Sequence, residues 1–546
     1  MSGRAAWETA RWTVVILFAV AACWHVDRPG YLYDEVLFVN AALGGVDESF
    51  VHARVLGVPV MLMSYLGALK AWLHAPVFAV FGVSAETIRV PSVLLAAASL
   101  YLFARIGDRL FGQMLGFWFL LVLATDPRLF LAARVDYGPV VLMMLLKAAA
   151  LLLFLGWLAE PSTGKLAALL AVLALGVFDK LNFIWFVVAL GAAAIVVHSR
   201  QVTRNLRQSG ASGMLLLVVA GGIAAWVGAT CVLPLLGSDL AYLPKQPPVL
   251  SLQRLFALLE IVRSTLLAAR GWYLLFPGPP PVGTAFTLDL ALAQSTWVVG
   301  LGALALAAMT AWAARRGQAR TIAFLFVLLL VLFVQVLLTR QATMPHHAFV
   351  LHPFHLLLVF AIAAPLVQAL LVRRRALAHA LVGVAAGLLV VAHVRADAAY
   401  LERIEDPAGY LAESSPAIRD LSDRIRSLRT DAVFSVDWGL HTQLFSLAAA
   451  EDRARFTDLW ATFENPAAST VAGKQSLRER FAGRRIVVVQ HTSRQTVMRG
   501  ARNAFLDFRA EMLPGAAPPE RVADAAGRRL YEIHLVPAEP ASRSGS

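Results

Sequence analysis

Residues 166–197 read LAALLAVLALGVFDKLNFIWFVVALGAAAIVV, an apolar run of 32 residues interrupted only by Asp179-Lys180. At about 1.5 Å per residue a single helix of this length would reach roughly 48 Å, well beyond the roughly 30 Å hydrocarbon core of a bilayer. The run therefore predicts two short membrane spans, 166–178 and 181–197, with the charged pair at the turn between them. Ionisable groups inside a membrane protein usually serve a site or a pathway, so this turn is also the first candidate functional position.

The same reading extends in both directions. Apolar segments recur at 12–26, 86–104, 111–125, 138–158, 212–236, 291–312, 321–338, 350–371 and 377–393, which with the two spans above makes eleven crossings. The chain is 59% hydrophobic and 15% charged, against roughly 45–50% apolar and about 25% charged in soluble domains. Beyond His393 the composition turns ordinary. The expected organisation is thus a membrane domain, 1–394, and a C-terminal domain, 395–546.

Charge placement orients the spans. With a cytoplasmic N-terminus, Arg4/Arg11, Arg105/Arg109, Lys165, Arg200/Arg204/Arg207, Arg315/Arg316/Arg320 and Arg373/Arg374/Arg375 all fall inside, as the positive-inside rule requires. The net charge of +13 then reports topology rather than nucleic-acid binding. Cys23 and Cys231 lie within apolar segments and read as small core residues. The first apolar stretch reaches Trp24 without a small-residue cleavage pattern, so an uncleaved span is expected. Residues 57–81 are apolar but carry Lys70, His74 and two prolines. A crossing there would invert every later Arg cluster, so the first outer loop, 27–85, is expected to hold interfacial or re-entrant helices.

This topology gathers polar residues on the outer face. They include Asp34-Glu35 in YLYDEVLFVNAALGG, the stretch DPRLFLAARVDYGP at 126–139, Asp179-Lys180, the loop 237–290 and TRQATMPHHAFVLHPF at 339–354. A carboxylate that abstracts a proton, beside Arg, Lys or His that hold phosphate, suits a reaction on an anionic membrane-borne substrate. Loop 237–290, with its PKQPP and FPGPPPVG runs around an amphipathic stretch, reads equally as a lid or as an interfacial brace.

The Asp34-Glu35 pair after the first span, GVSAETIRVPS (82–92) leading into the second, Arg134-Val135-Asp136 before the fourth and the GVFDK turn (176–180) together resemble the protein O-mannosyltransferase and lipid A aminoarabinose transferase group, over roughly residues 10–360. The resemblance implies a polytopic α-helical GT-C fold with an extracytoplasmic domain after the last span. It also implies an inverting glycosyltransferase that takes a sugar from a polyprenyl-phosphate carrier in a cell inner membrane or plasma membrane. The acceptor would be a lipid, glycan or protein hydroxyl.

On this resemblance Asp34 is the base, with Glu35 beside it. Asp136 occupies the second acidic position, Arg89 and Arg134 organise the site or meet the donor phosphate, and Lys180 holds the carrier phosphate. Each has a plainer alternative: Asp136 as a helix cap, Arg89 snorkelling to headgroups, Lys180 paired only with Asp179. His346 and His347 are candidates for phosphate or acceptor contact rather than zinc, and Asp126 is expected to be a turn or cap residue. No cofactor is assigned, a divalent cation being left open. Polyprenyl phosphate is acidic enough to be a good leaving group without protonation, so one base suffices.

The C-terminal region predicts a small α/β domain. A polar helical stretch (396–429) precedes a strand ending at Asp437, a helix near 440–450, a strand at 485–490, a helix near 500–513, and a last strand, RLYEIHLV. Asp437-Trp438-Gly439 sits where open α/β sheets place ligands, though a structural turn is the simpler reading. Residues 538–546 are expected to be disordered. The rival functions are a multispan transporter or flippase of lipid-linked sugars, marked by paired broken helices, and a ligase acting on lipid-linked oligosaccharide.

Overall fold

The structure, a computed structural model, describes residues 3–47, 50–233, 318–339, 345–513 and 517–538, with a few isolated positions between 251 and 312. Among the described residues, eight helices are long and apolar enough to cross a membrane, and the bent pair Gln113–Ala124 and Pro127–Arg134 makes a ninth if counted as one span. The elements that matter below are α1 (Gly3–Cys23), α2 (Tyr33–Val36), α3 (Val39–Ala42), α4 (Leu69–Phe81), α5 (Ala85–Phe111), α6 (Gln113–Ala124), α7 (Pro127–Arg134), α8 (Val140–Ala159), α9 (Thr163–Asp179) and α10 (Ile184–Gln208). The 32-residue run does break at Lys180. There α9 ends, and a short 3-10 turn, Leu181–Phe183, leads into α10. At 17 residues α9 is shorter than the eight, and the expected span 291–312 lies almost wholly outside the described residues. So do most of the loop 237–290 and the tail after 538.

The protein is a multi-pass membrane protein. Its α1 turns Ile16, Leu17 and Val20 outward at 56–62% exposure, which only a lipid environment accommodates over a whole helix face. Between helices, lipid removes the hydrophobic driving force, so close packing and polar contacts hold the bundle. Gly107 on α5 shows the first: a Cβ there would lie 3.1 Å from the Cα of Gly116 on α6. Arg11 shows the second, its Nη2 lying 2.7 Å from Asp108 Oδ1 and tying α1 to α5.

The first outer loop differs from expectation. Residues 53–67 form a three-stranded antiparallel sheet, β1 (Ala53–Val55), β2 (Val58–Met63) and β3 (Leu66–Gly67). Within 57–81 the helical part is Leu69–Phe81 alone. The reason is local: Gly57 takes φ +82° at the first turn, a conformation glycine adopts freely, and VPVMLM is β-branched and apolar enough to pair. Strand β3 then reaches across to the α9–α10 turn, where Leu66 bridges Lys180 and Leu181 N–H donates to the Tyr65 carbonyl at 2.9 Å.

The C-terminal region contains a five-stranded sheet ordered β5-β4-β6-β8-β7, from β4 (Ala432–Ser435), β5 (Phe456–Asp458), β6 (Ile486–His491), β7 (Glu520–Ala523) and β8 (Arg529–Val536). Strands β5, β4 and β6 are parallel, whereas β8 and β7 run antiparallel to their neighbours. Apolar clusters cover both faces, as a mixed sheet between helices requires. The three strands expected from sequence are present. The short edge strands β5 and β7 and the helix Val471–Phe481 are additional, and the stretch 396–429 is two helices, ending at Glu405 and resuming at Ile418.

Candidate active site

Asp34 lies on α2, a single turn that follows the loop leaving α1. Two arginines fix this loop from below. Arg89, on the first turns of α5, meets Glu35 through Nε (2.5 Å) and Nη2 (2.8 Å), and donates from Nη1 to the carbonyls of Val26 and Pro29 and from Nη2 to that of Gly30. These bonds use all five guanidinium N–H donors, and both side chains are 1% exposed. Arg89 is therefore a brace for the loop. Its five engaged donors fit the site-organising alternative. Glu35 is equally committed: besides Arg89 it accepts the N–H of Leu32 at 3.2 Å.

Arg134, at the end of α7, is fully buried. It donates to the carbonyls of Ala22, Trp24 and His25, satisfying the last turn of α1, whose carbonyls have no helical partner. It organises the loop that follows α1.

Asp136 has both oxygens occupied. Oδ1 accepts the N–H groups of Val140 and Val141 at the start of α8, and Oδ2 lies 2.7 Å from Lys70 Nζ. Asp136 thus holds the start of α8, as the capping alternative has it. Lys70 itself went unassigned in the sequence, where it counted only against a crossing. The missed signal was a lysine within an apolar helix, a placement that calls for a buried partner.

Lys180 donates to the Gly138 carbonyl rather than to Asp179. One of its three N–H donors is used there. Asp179, 1% exposed, leaves Oδ2 without a hydrogen-bond partner. A narrow pocket brings these elements together, lined by Asp34, Phe38, Leu66, Gly67, Lys70 and Asp179 among others.

Asp34 differs from the other carboxylates here. Its side chain keeps 31% exposure, and its nearest ionisable contact is His346 Nδ1, 4.0 Å from Oδ2. The surrounding walls withdraw water and push its carboxyl above the ordinary range, against the pull of Lys180 and, more weakly, Lys70, with Asp136 adding to the push. Burial likewise pushes the Lys180 ammonium down to about 8, against the stabilising carboxylates of Asp34, Asp136 and Asp179. His346 also packs on Gly138, where a Cβ would meet its ring at 2.5 Å. His347 stacks edge-on to His346, with ring centroids 4.2 Å apart. Among the described residues no group of three or more His, Cys, Asp or Glu forms a metal ligand set.

Asp126 caps α7, accepting the N–H of Arg128 at 2.9 Å. Asp437 is fully buried and accepts the N–H groups of Trp438 and Met498 and pairs with His491 Nδ1 at 2.9 Å. It holds a turn and presents no open carboxylate.

No curated protein matches the chain in sequence. Among solved structures, the chain is similar to ArnT from Cupriavidus metallidurans bound to undecaprenyl phosphate, with a TM-score of 0.58 at 14% identity over 98% of this chain and 99% of that one. It is also similar to the same protein in the apo state (TM-score 0.49, 14% identity, 99% and 100% covered). The Archaeoglobus fulgidus oligosaccharyltransferase in complex with Zn and sulfate gives a TM-score of 0.48 at 11% identity, over 87% of this chain and 67% of that one. With residues 67–226, which hold Lys70, Asp136 and Lys180, matching the family model described as dolichyl-phosphate-mannose-protein mannosyltransferase, the chain takes its place among proteins of the GT-C fold.

Proposed function

We propose that the protein is an inverting glycosyltransferase that moves a sugar from a polyprenyl-phosphate carrier to an acceptor hydroxyl, with Asp34 as general base. The observation that carries this reading is the contrast among the carboxylates. Glu35 is spent on Arg89, and Asp136 on Lys70 and the start of α8, whereas Asp34 is part-exposed, raised in pKa and next to Lys180. A base works best when its pKa lies nearer the operating pH.

Asp34 would remove the acceptor proton as its oxygen attacks the anomeric carbon from the face opposite phosphate. The C–O bond to the carrier breaks, and the electron pair leaves on the polyprenyl phosphate. Lys180, with two N–H donors beyond its bond to Gly138, and Lys70 beside it would stabilise that charge. His346, within 4.0 Å of Asp34, would meet the acceptor or the phosphate. Undecaprenyl phosphate in the similar ArnT structure supports the carrier class. In this reading the N-terminus is cytoplasmic, the site opens on the outer face, and the domain from 395 lies outside.

The transporter reading would draw on the 55° bend between α6 and α7 as a second broken helix. The arginine beside that bend is engaged by Asp126, so that charge is not open to a passing substrate.

The test is transfer of labelled sugar from a panel of polyprenyl-phosphate sugars by purified wild type and Asp34→Asn, with native membrane extract as acceptor. Transfer that collapses in the variant while carrier binding persists supports the reading. Equal activity of the two removes Asp34 as base, and no consumption of any donor returns the transporter reading to the front.

A further inference from the structure

Helix α2 has four residues, too few to hold its own shape in water. Arg89 braces it from the membrane side. From the other side it is held by the C-terminal domain, through one continuous contact.

The Trp438 indole packs on the Tyr33 ring, with centroids 4.2 Å apart and planes inclined by 38°. Gly439 takes φ +85° and comes so close that a Cβ there would lie 3.4 Å from the Tyr33 Cβ. On the next helix, Leu440–Leu447, Gln443 Nε2 donates to the carbonyl of Tyr31 at 2.6 Å and to that of Glu413 at 2.8 Å. His441 pairs with Asp47 just after α3. The Gly30 N–H donates to the Ser414 carbonyl at 2.9 Å. Trp438 is itself anchored, because the preceding Asp437 caps its N–H and is bound in turn to His491 at the end of β6. The ends of two interior strands of the sheet, β4 and β6, are thus connected, residue by residue, to the residue before Asp34.

We propose that Trp438 is a positioning residue for Asp34: the C-terminal domain sets the orientation of α2 through the Trp438–Tyr33 contact, and so aims the Asp34 carboxylate at the acceptor hydroxyl. This rests on the reading of Asp34 as base. Displacing a reacting group by an ångström costs up to about a hundredfold in rate, so a small slackening of α2 is enough to be seen.

The experiment compares full-length wild type, Trp438→Ala, Trp438→Phe and Gln443→Ala in lipid nanodiscs, by amide exchange and by transfer kinetics. Trp438→Ala is expected to speed exchange at residues 31–37 while α5 and α8 keep wild-type protection. It should lower kcat about tenfold or more, with the donor KM within about twofold. Trp438→Phe keeps a ring on Tyr33 and is expected to stay close to wild type. Gln443→Ala should loosen the same segment, which preserves the test if Trp438→Ala does not fold. Unchanged exchange at 31–37, unchanged kcat in Trp438→Ala, or equal damage from Phe and Ala would each overturn the proposal. Asp34→Asn run in parallel separates the two readings: an active Asp34→Asn sinks the base assignment, while the exchange data still decide whether Trp438 holds α2.

Discussion

Lys70 Nζ and Asp136 Oδ2 form an ion pair at 2.7 Å with 4% and 2% of their side chains exposed, joining α4 of the first outer loop to the start of α8. The pair ties Lys70, which lines the pocket, to the residue that holds the start of α8. Of the two carboxylates that line the pocket, Asp179 is 1% exposed whereas Asp34 keeps 31% exposure. Asp136 neutralises Lys70 and caps a helix, and Asp34 is left for chemistry.

The pair should behave as buried charges do. Lys70→Met leaves a buried carboxylate without its cation and is expected to cost about 3–5 kcal/mol. The double variant Lys70→Met/Asp136→Asn should recover a substantial part of that loss. Thermal unfolding of the purified variants in one detergent measures this. A double variant no more stable than Lys70→Met would show that the pair is not what holds α4 against α8.

Adjacent residues on α2 should separate stability from activity. Glu35→Gln breaks the two-point contact with Arg89 between side chains that are 1% exposed, and is expected to lower stability by roughly 3–5 kcal/mol. Asp34→Asn, at a side chain 31% exposed, should change stability by no more than about 0.5 kcal/mol while abolishing transfer. Melting curves and initial rates on the same preparations decide it. Loss of stability in Asp34→Asn comparable to that in Glu35→Gln would mean both carboxylates are structural.

The sequence carried much of this arrangement and missed the rest for identifiable reasons. Span lengths and Arg placement suffice to break the run 166–197 at Lys180, since both follow from bilayer thickness and charge. The convergence of Asp34, Asp136 and Lys180 on one side followed from the same topology. The roles of Arg89 and Glu35 were not legible, because they depend on which carbonyls the loop 26–30 turns inward. That is a property of the folded loop and not of residue type. Lys70 was hidden for a similar reason: its partner lies 66 positions away. The sheet at 53–67 was obscured by Pro59 and by apolar residues whose pattern fits either a strand or an interfacial helix.

Activity should depend on pH through both limbs of a bell. Asp34 must be ionised to act, and its carboxyl is raised above the ordinary range, so kcat/KM is expected to climb with pH through that raised value. Lys180 must be protonated to hold phosphate, and its ammonium is pushed down to about 8, so activity falls as pH passes that point. Lys180→Arg keeps its charge to beyond about pH 12. The variant should lose the alkaline fall while the acid limb stays in place. A falling limb that is unmoved in Lys180→Arg would assign it to another group.

The final prediction concerns how the two lysines come to act on one carboxylate, that of Asp34. Strand β3 carries Gly67, where a Cβ would lie 2.1 Å from the carbonyl oxygen of Phe178 and 2.9 Å from its carbon. Both are backbone atoms of the last turn of α9, next to Asp179 and Lys180, so no side chain can swing aside to make room. Gly67→Ala is therefore expected to push β3 off the turn, breaking the Leu66–Lys180 bridge and the bond from Leu181 N–H to the Tyr65 carbonyl. Lys70, three residues beyond Gly67, would move away from Lys180. Transfer should fall by about tenfold or more, with stability lowered by about 1–3 kcal/mol from overpacking. Gly164→Ala is the matched control, in the first turn of the same helix α9 with nothing within 4 Å of its Cβ position. There the smaller entropy of the unfolded chain favours alanine by about 0.4–1 kcal/mol, and activity should be unchanged. If Gly67→Ala matched Gly164→Ala in both rate and melting temperature, the contact between β3 and the Lys180 turn would have no part in assembling the site.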